Sequence, residues 1–123
     1  MSSLVLFSVD LRRMATFYEA ILGATPSYEP SGDIRLVNDH EEILIHSVPE
    51  KIAKNIDIST PPKPRDGSAI KPVFDVDSLV AALESVRTNG GVVTPRTFTL
   101  EGLTRHDVLD PEGNVIQLRS RSA

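Results

Sequence analysis

The 123-residue sequence contains no cysteine and no tryptophan, and only 5% of its residues are aromatic. Without cysteine the chain cannot form disulfides, thiolate metal sites or a cysteine nucleophile. The shortage of aromatic side chains argues against a stacking platform for bases or sugars. These absences exclude several classes of site before any motif is considered.

Positive charge and long apolar segments are also scarce. The net charge of −4 argues against nucleic acid or an anionic membrane as a partner. No apolar run approaches the roughly 18 residues of a membrane span, and residues 1–7 lack the basic segment and cleavage site of a signal peptide. We therefore expect a single cytoplasmic domain over residues 1–123, with an ordinary apolar fraction of 40%.

The segment DPEGN at residues 110–114 predicts a tight turn near the end of the chain. Pro111 presets its φ angle for a turn, and Gly113 accepts a positive φ. Residues 103–109 and 115–118 on either side are β-prone, which predicts a hairpin.

The strand after this turn alternates between apolar and polar residues. Ile116 and Leu118 should point to one face, and Val115 and Gln117 to the other. The first face meets a core, whereas the second places a polar amide where it could line a cavity. The surroundings of Gln117 are therefore the functional question that this sequence raises.

Residues 1–48 form a first candidate module. Asp10 can cap a helix over residues 11–22, whose apolar side chains recur with a helical period. Gly23 can end that helix in the left-handed conformation. The predicted strands are residues 4–9, 25–29, 33–37 and 42–47.

Residues 49–68 are a proline-rich connector, which can continue neither a helix nor a central strand. The pattern then restarts over residues 69–123, with a helix over 79–88 that Asp77 or Ser78 can cap. The predicted strands of this second module are 69–76, 92–95, 103–109 and 115–119. FSVD at 7–10 matches FDVD at 74–77, which indicates a duplication.

Two motifs carry a family resemblance that covers the whole chain. FYEAILG at residues 17–23 resembles the FYxxxLG helix of the vicinal oxygen chelate superfamily, and DPEGN at 110–114 resembles its DPxGN turn. This superfamily includes glyoxalase I, bleomycin- and fosfomycin-resistance proteins and extradiol dioxygenases. The resemblance implies an α+β fold, in which two tandem βαβββ modules form curled mixed sheets around a cleft. It also implies a homodimer, with modules paired within or between chains.

The resemblance further implies where a metal would be bound. In metal-dependent members each module supplies one ligand, usually His, from its first strand and another, usually Glu, from its last. The corresponding positions here are about Leu4, His46 (or Ile45), about Lys71, and Gln117. A leucine and an ammonium cannot bind a cation, and a neutral amide is a poor ligand. We therefore predict no intrinsic metal and no cofactor.

Four side chains are candidates for ligand binding: His46, Arg105, Asp107 and Gln117. His46 is either a structural or solvent-facing histidine or a cavity residue that could act as acid or base. Arg105 and Asp107 share a strand face, where they form surface charges or an ion pair, or where Arg105 meets an acidic ligand group or Asp107 a basic one. Gln117 either lies at a wet sheet edge or lines the cleft.

The favoured function is metal-free binding of a small organic molecule in a cleft between the modules, as in bleomycin-resistance proteins. The alternative is a superfamily enzyme, a lyase, isomerase or dioxygenase, with an atypical divalent-metal site that involves His46. A purely structural dimer module is a third possibility. The scaffold alone does not decide among them, because one fold supports many activities.

Overall fold

The computed structural model describes residues 2–65 and 67–121, and this part of the chain forms two four-stranded mixed sheets and three helices. In it, no helix is long and apolar enough to cross a membrane. The elements in chain order are β1 Ser2–Ser8, α1 Leu11–Leu22, β2 Thr25–Tyr28, β3 Ile34–Val37, β4 Glu41–Ser47, α2 Glu50–Ala53, β5 Val73–Asp75, α3 Leu79–Thr88, β6 Val92–Leu100, β7 Leu103–Leu109 and β8 Val115–Arg121.

The two sheets have the same topology. The first has the strand order β1-β4-β3-β2, with β1 parallel to β4, and the second has the order β5-β8-β7-β6, with β5 parallel to β8. All other strand pairs are antiparallel. Helix α1 packs against the first sheet, α3 packs against the second, and the two helices contact each other. The predicted α+β fold of two βαβββ modules is therefore confirmed.

Both long helices begin and end where the sequence places the signals. The Asp10 side chain accepts a hydrogen bond from the backbone N–H of Arg13 at 3.1 Å, which satisfies one free donor of the first turn of α1. Gly23, at φ 61°, ends that helix in the left-handed conformation. Of the two possible caps of α3, Ser78 is the one that accepts from Ala81.

Most strands differ from their predicted bounds by one or two residues, and β5 and β6 differ most. β5 covers only Val73–Asp75, because the preceding Pro72 has no N–H and contributes only its carbonyl, which accepts from the N–H of Gln117. β6 continues from Val92 to Leu100, through an irregularity between Val93 and Thr97 that accommodates the internal proline.

The structure also shifts the internal repeat by one residue. The helix caps Asp10 and Ser78 are equivalent, which pairs the buried Leu6 with the buried Phe74. Phe7, by contrast, is 60% exposed. The match of FSVD with FDVD therefore aligned residues on opposite faces of their strands, although the duplication itself is evident in the two sheets.

Each sheet has a face covered by its helix, here called the helix face, and an opposite face that carries no helix, the open face. Ile116 and Leu118 are buried on the helix face of β8 while Gln117 points to the open face, as predicted. The open face of the first sheet carries Ser3, Val5, Phe7, Arg35, Glu42, Leu44 and His46. The open face of the second carries Val73, Asp75, Phe98, Arg105, Asp107, Gln117 and Arg119.

The turn at residues 110–114 fastens the second module to the first. The buried Glu112 carboxylate accepts hydrogen bonds from Ser8 Oγ at 2.7 Å and from the backbone N–H groups of Val9 and Asp10, each at 2.9 Å. These partners lie more than 100 residues away in the sequence, at the end of β1 and in the two residues that join it to α1. The carboxylate thus provides the acceptors that the start of α1 and the end of β1 need.

A second contact reinforces this connection. The hydroxyl of Tyr18, in α1, donates to Asp110 at 2.7 Å, and both side chains are buried. Burial, followed by the charge of Asp110, raises the pKa of Tyr18 well above its ordinary value, so the phenol keeps its proton and donates. Burial also raises the pKa of Asp110, although Tyr18 and Asn114 oppose that effect by hydrogen bonding.

Glu112 joins the modules at the C-terminal end of β1, and the N-terminal end of β1 lies near β5. A cleft of about 280 Å³ lies along this seam between the two sheets. Its lining includes the open-face residues Ser3, Glu42, Val73, Asp75 and Arg119. The two open faces therefore meet at a shared cleft.

Candidate functional site

Five polar side chains form a connected group on the open face of the second sheet. We call this group the basic cluster, and its members are Lys71, Arg96, Arg105, Asp107 and Gln117. The β7–β8 pairing sets Asp107 directly opposite Gln117. Backbone hydrogen bonds of a sheet thereby hold the centre of the cluster.

Asp107 is the hub of the basic cluster and is only 4% exposed. Its Oδ1 accepts a hydrogen bond from Gln117 Nε2 at 3.0 Å. Its Oδ2 lies 2.7 Å from Lys71 Nζ and 3.4 Å from Arg96 Nε. Since both oxygens are occupied and covered, Asp107 is not free to receive a basic group of a ligand.

Gln117 connects this carboxylate to Arg105. Because its Nε2 donates to Asp107, its Oε1 is directed at Arg105, whose Nη1 donates to it at 3.1 Å. Within the described residues, Arg105 Nε is the one buried side-chain nitrogen or oxygen without a hydrogen-bond partner. An unsatisfied buried N–H of a charged group is costly, so Arg105 has donor capacity that this arrangement does not use.

The basic cluster has more positive than negative charge. It contains three cations, of which Lys71 and Arg96 contact Asp107 and Arg105 contacts Gln117, and the single carboxylate of Asp107, which leaves a formal surplus of two positive charges. The neighbouring pair of Arg119 and Asp75, 2.6 Å apart, is neutral overall. The Arg119 hydrogen bond keeps the pKa of Asp75 below its usual value, so this pair stays ionised.

Two apolar side chains border the basic cluster. Phe98 is paired in register with Arg105, and its ring is 40% exposed and lies 6.0 Å from the Arg96 guanidinium carbon. Val73 is paired in register with Gln117 and is 42% exposed. The cluster thus combines hydrogen-bond donors with uncovered apolar surface, as small-molecule sites do.

His46 lies apart from the other three predicted site residues, on the open face of the first sheet. Its Nδ1 is 2.8 Å from Asp33 Oδ1, and the Phe7 ring meets the imidazole edge-on at a centroid distance of 5.6 Å. Its side chain is 47% exposed. Among the described residues, no contact joins His46 to the basic cluster, so the structure brings together Arg105, Asp107 and Gln117 but not His46.

The metal positions implied by the family pattern do not hold a suitable ligand set. Leu4 packs against the core on the helix face, and so the open-face positions of β1 are its neighbours, which are not His, Asp or Glu. Ile45 is fully buried, which makes His46 the open-face residue of that pair. Lys71 is bound to Asp107 beside Gln117. In the described part of the chain, no three His, Asp or Glu side chains are grouped to hold a metal ion.

Sequence reasoning missed two members of the basic cluster. Arg96 lies just beyond the predicted strand 92–95, and only the greater length of β6 places it beside β7. The family pattern indicates Lys71 only as a metal position that cannot bind a cation, whereas in the structure its Nζ lies 2.7 Å from Asp107 Oδ2. Alternation continued beyond Pro95 could have indicated Arg96, but no sequence signal pairs Lys71 with Asp107.

Comparison with known proteins identifies the family. The sequence model of the Glyoxalase/Bleomycin resistance protein/Dioxygenase superfamily matches residues 1–118. The chain belongs to this superfamily. No curated protein sequence matches the chain significantly.

Solved structures agree with this membership at the level of the fold. A glyoxalase/bleomycin resistance protein/dioxygenase family enzyme from Burkholderia phytofirmans PsJN has a TM-score of 0.72 at 18% identity, covering 98% of this chain and 97% of that one. A glyoxalase/bleomycin resistance protein from Albidiferax ferrireducens T118 gives 0.70 at 21% identity, with coverage of 99% and 98%. The fosfomycin resistance protein FosX from Listeria monocytogenes gives 0.70 at 15% identity, with coverage of 99% and 93%.

Proposed function

We propose that this superfamily member binds a small organic molecule without a metal ion, at the open face of the second sheet. The observation that carries the proposal is the basic cluster around the buried Asp107. Two of its members, Lys71 and Gln117, stand where the family pattern places metal ligands, and the guanidinium groups of Arg96 and Arg105 lie beside them. Such groups recognise an organic ligand by hydrogen bonding, whereas their charge disfavours a divalent cation.

Metal analysis of the purified protein is the first test. We expect no stoichiometric Ni, Mn, Fe or Zn, and no rise in melting temperature with any of these divalent ions. The alternative enzyme with a metal site at His46 predicts the opposite. Stoichiometric metal that is lost in His46→Ala but retained in the loop variant His40→Ala would overturn the metal-free proposal.

A thermal-shift screen with small organic molecules is the second test. The screen contains acids, neutral compounds and amines, and we expect at least one compound to raise the melting temperature. The shift should weaken in Gln117→Ala and Arg105→Ala. Arg87→Ala is the matched control, since Arg87 lies on α3 and forms only a surface pair with Glu84. A shift that all three variants keep would mean that other residues bind the compound.

We also propose that the chain is a homodimer. Exposed apolar side chains lie on the open faces of both modules: Val5 and Phe7 on the first, and Phe98 and Leu100 on the second. A second copy that covers the open faces would remove this apolar surface from water and enclose the ligand. Light scattering after gel filtration should give about twice the 13.4 kDa chain mass. A monomer at micromolar concentration would contradict this proposal.

A further inference from the structure

The basic cluster also indicates the chemical class of the ligand, an inference that rests on the proposed function. We propose that the ligand is an organic acid, whose carboxylate is bound by Arg105 with Lys71 and Arg96 and whose apolar body lies on Phe98. The acceptor oxygens of the cluster already have hydrogen-bond partners, whereas some of its donors do not.

The single carboxylate of the cluster cannot receive a ligand. Asp107 is buried, and its oxygens are taken by Gln117, Lys71 and Arg96. A cationic ligand would therefore find no free acceptor there and would be repelled by three cations. This removes the possibility that Asp107 recognises a basic group.

The donors of the cluster, in contrast, are in excess. Arg105 gives one hydrogen bond, to Gln117, while its buried Nε–H has no partner among the described residues. Lys71 and Arg96 share one oxygen of Asp107, and their side chains are 37% and 68% exposed. A planar carboxylate can accept two parallel N–H bonds from a guanidinium group. A small turn of the Arg105 side chain would let such an anion satisfy its free donor.

The surroundings select an acid with an apolar body over a bare inorganic anion. The Phe98 ring is paired in register with Arg105, and the exposed Val73 lies beside Gln117 on the same face. An aromatic or aliphatic group next to the carboxylate would cover this surface while the acid meets the cations. Inorganic phosphate would meet only the charges.

Matched pairs of an acid and its amide test this inference. Isothermal titration calorimetry would use benzoate against benzamide, hexanoate against hexanamide, and benzylamine and inorganic phosphate as further probes. We expect the two acids to bind, the amides and the amine to bind at least roughly tenfold more weakly, and added salt to weaken the acids. Arg105→Met should weaken acid binding roughly 10- to 100-fold, the loss of a hydrogen bond between charged groups.

Two controls distinguish the loss of a ligand-binding group from a general loss of surface charge and from unfolding of the variant. Arg87→Met removes a guanidinium from the surface of α3 and should leave acid binding unchanged. Circular dichroism and the melting temperature report whether Arg105→Met is folded, and Lys71→Met provides a second, independent loss of charge. If the amides or benzylamine bind as well as the acids, the acid class is wrong while small-molecule binding stands. If none of the acids, amides or amine binds, the organic-acid class fails, whereas small-molecule binding itself fails only if the thermal-shift screen also finds no compound. Phosphate binding alone would also overturn the organic-acid class.

Discussion

Replacing Glu112 with glutamine should weaken the connection between the two modules. The carboxylate is 2% exposed, accepts hydrogen bonds from Ser8 Oγ and from two backbone N–H groups, and lies 3.5 Å from the guanidinium of Arg65. In Glu112→Gln one oxygen becomes an NH₂ group, which faces donors, and the negative charge is lost. A hydrogen bond to a charged group contributes about 1.5–3 kcal/mol, so we expect a loss of about 2–4 kcal/mol of unfolding free energy.

For a domain of this size, about 1 kcal/mol shifts the melting temperature by about 4 °C. Glu112→Gln should therefore melt roughly 8–16 °C lower, as measured by calorimetry and by urea unfolding. Glu84→Gln is the matched control, because Glu84 forms only a 3.5 Å surface pair and should change stability by about 0.5 kcal/mol or less. Equal stability of the two variants would refute the reasoning that Glu112 fastens the modules.

Two further predictions concern the backbone and the pH dependence. Gly91→Ala should lower the free energy of unfolding by about 1–3 kcal/mol by overpacking, since a Cβ there would lie 2.5 Å from the Leu109 carbonyl oxygen and 2.6 Å from the Phe17 ring. At Gly102 nothing lies within 4 Å of the added Cβ, so Gly102→Ala should cost about 1–2 kcal/mol from its positive φ alone. A Gly91→Ala melting temperature at the wild-type value would contradict this prediction. Burial raises the pKa of Asp110 in the folded chain, so the folded state binds this proton more tightly than the unfolded state does. The stability that Asp110 contributes is therefore fully present below the ordinary pKa of about 3.9 and is lost as the pH rises through the raised pKa. In urea unfolding, the stability advantage of the wild type over Asp110→Asn should therefore narrow as the pH rises above about 4, and an advantage that widens would disprove the assignment.

The fold could be predicted because its signals are local. The helix caps, the glycine after α1 and the turn at residues 110–114 depend on neighbouring residues only. Alternation in β8 then assigned Gln117 to the open face, as the structure confirms. The strand boundaries were less predictable, since β5 is shortened by Pro72 and β6 is extended by its pairing with β7.

The candidate site could be predicted only in part, because it depends on pairing between distant segments. Arg105, Asp107 and Gln117 lie on two strands of one hairpin, so their meeting follows from the turn. Lys71 reaches Asp107 across 36 residues, and Glu112 reaches Ser8 across 104 residues. No periodicity within a strand or helix encodes such contacts, so the sequence predicts only a turn at residues 110–114 and no partner for Glu112.

Ligand binding by metal-stripped protein tests the central claim most directly. The protein would be treated with a chelator, checked for residual metal, and titrated with benzoate before and after Mn, Ni or Zn is returned. We predict the same affinity in each state, because the basic cluster recognises the carboxylate with its own side chains. Binding that disappears on chelation and returns with a metal ion would contradict the account and would favour the alternative metal site at His46.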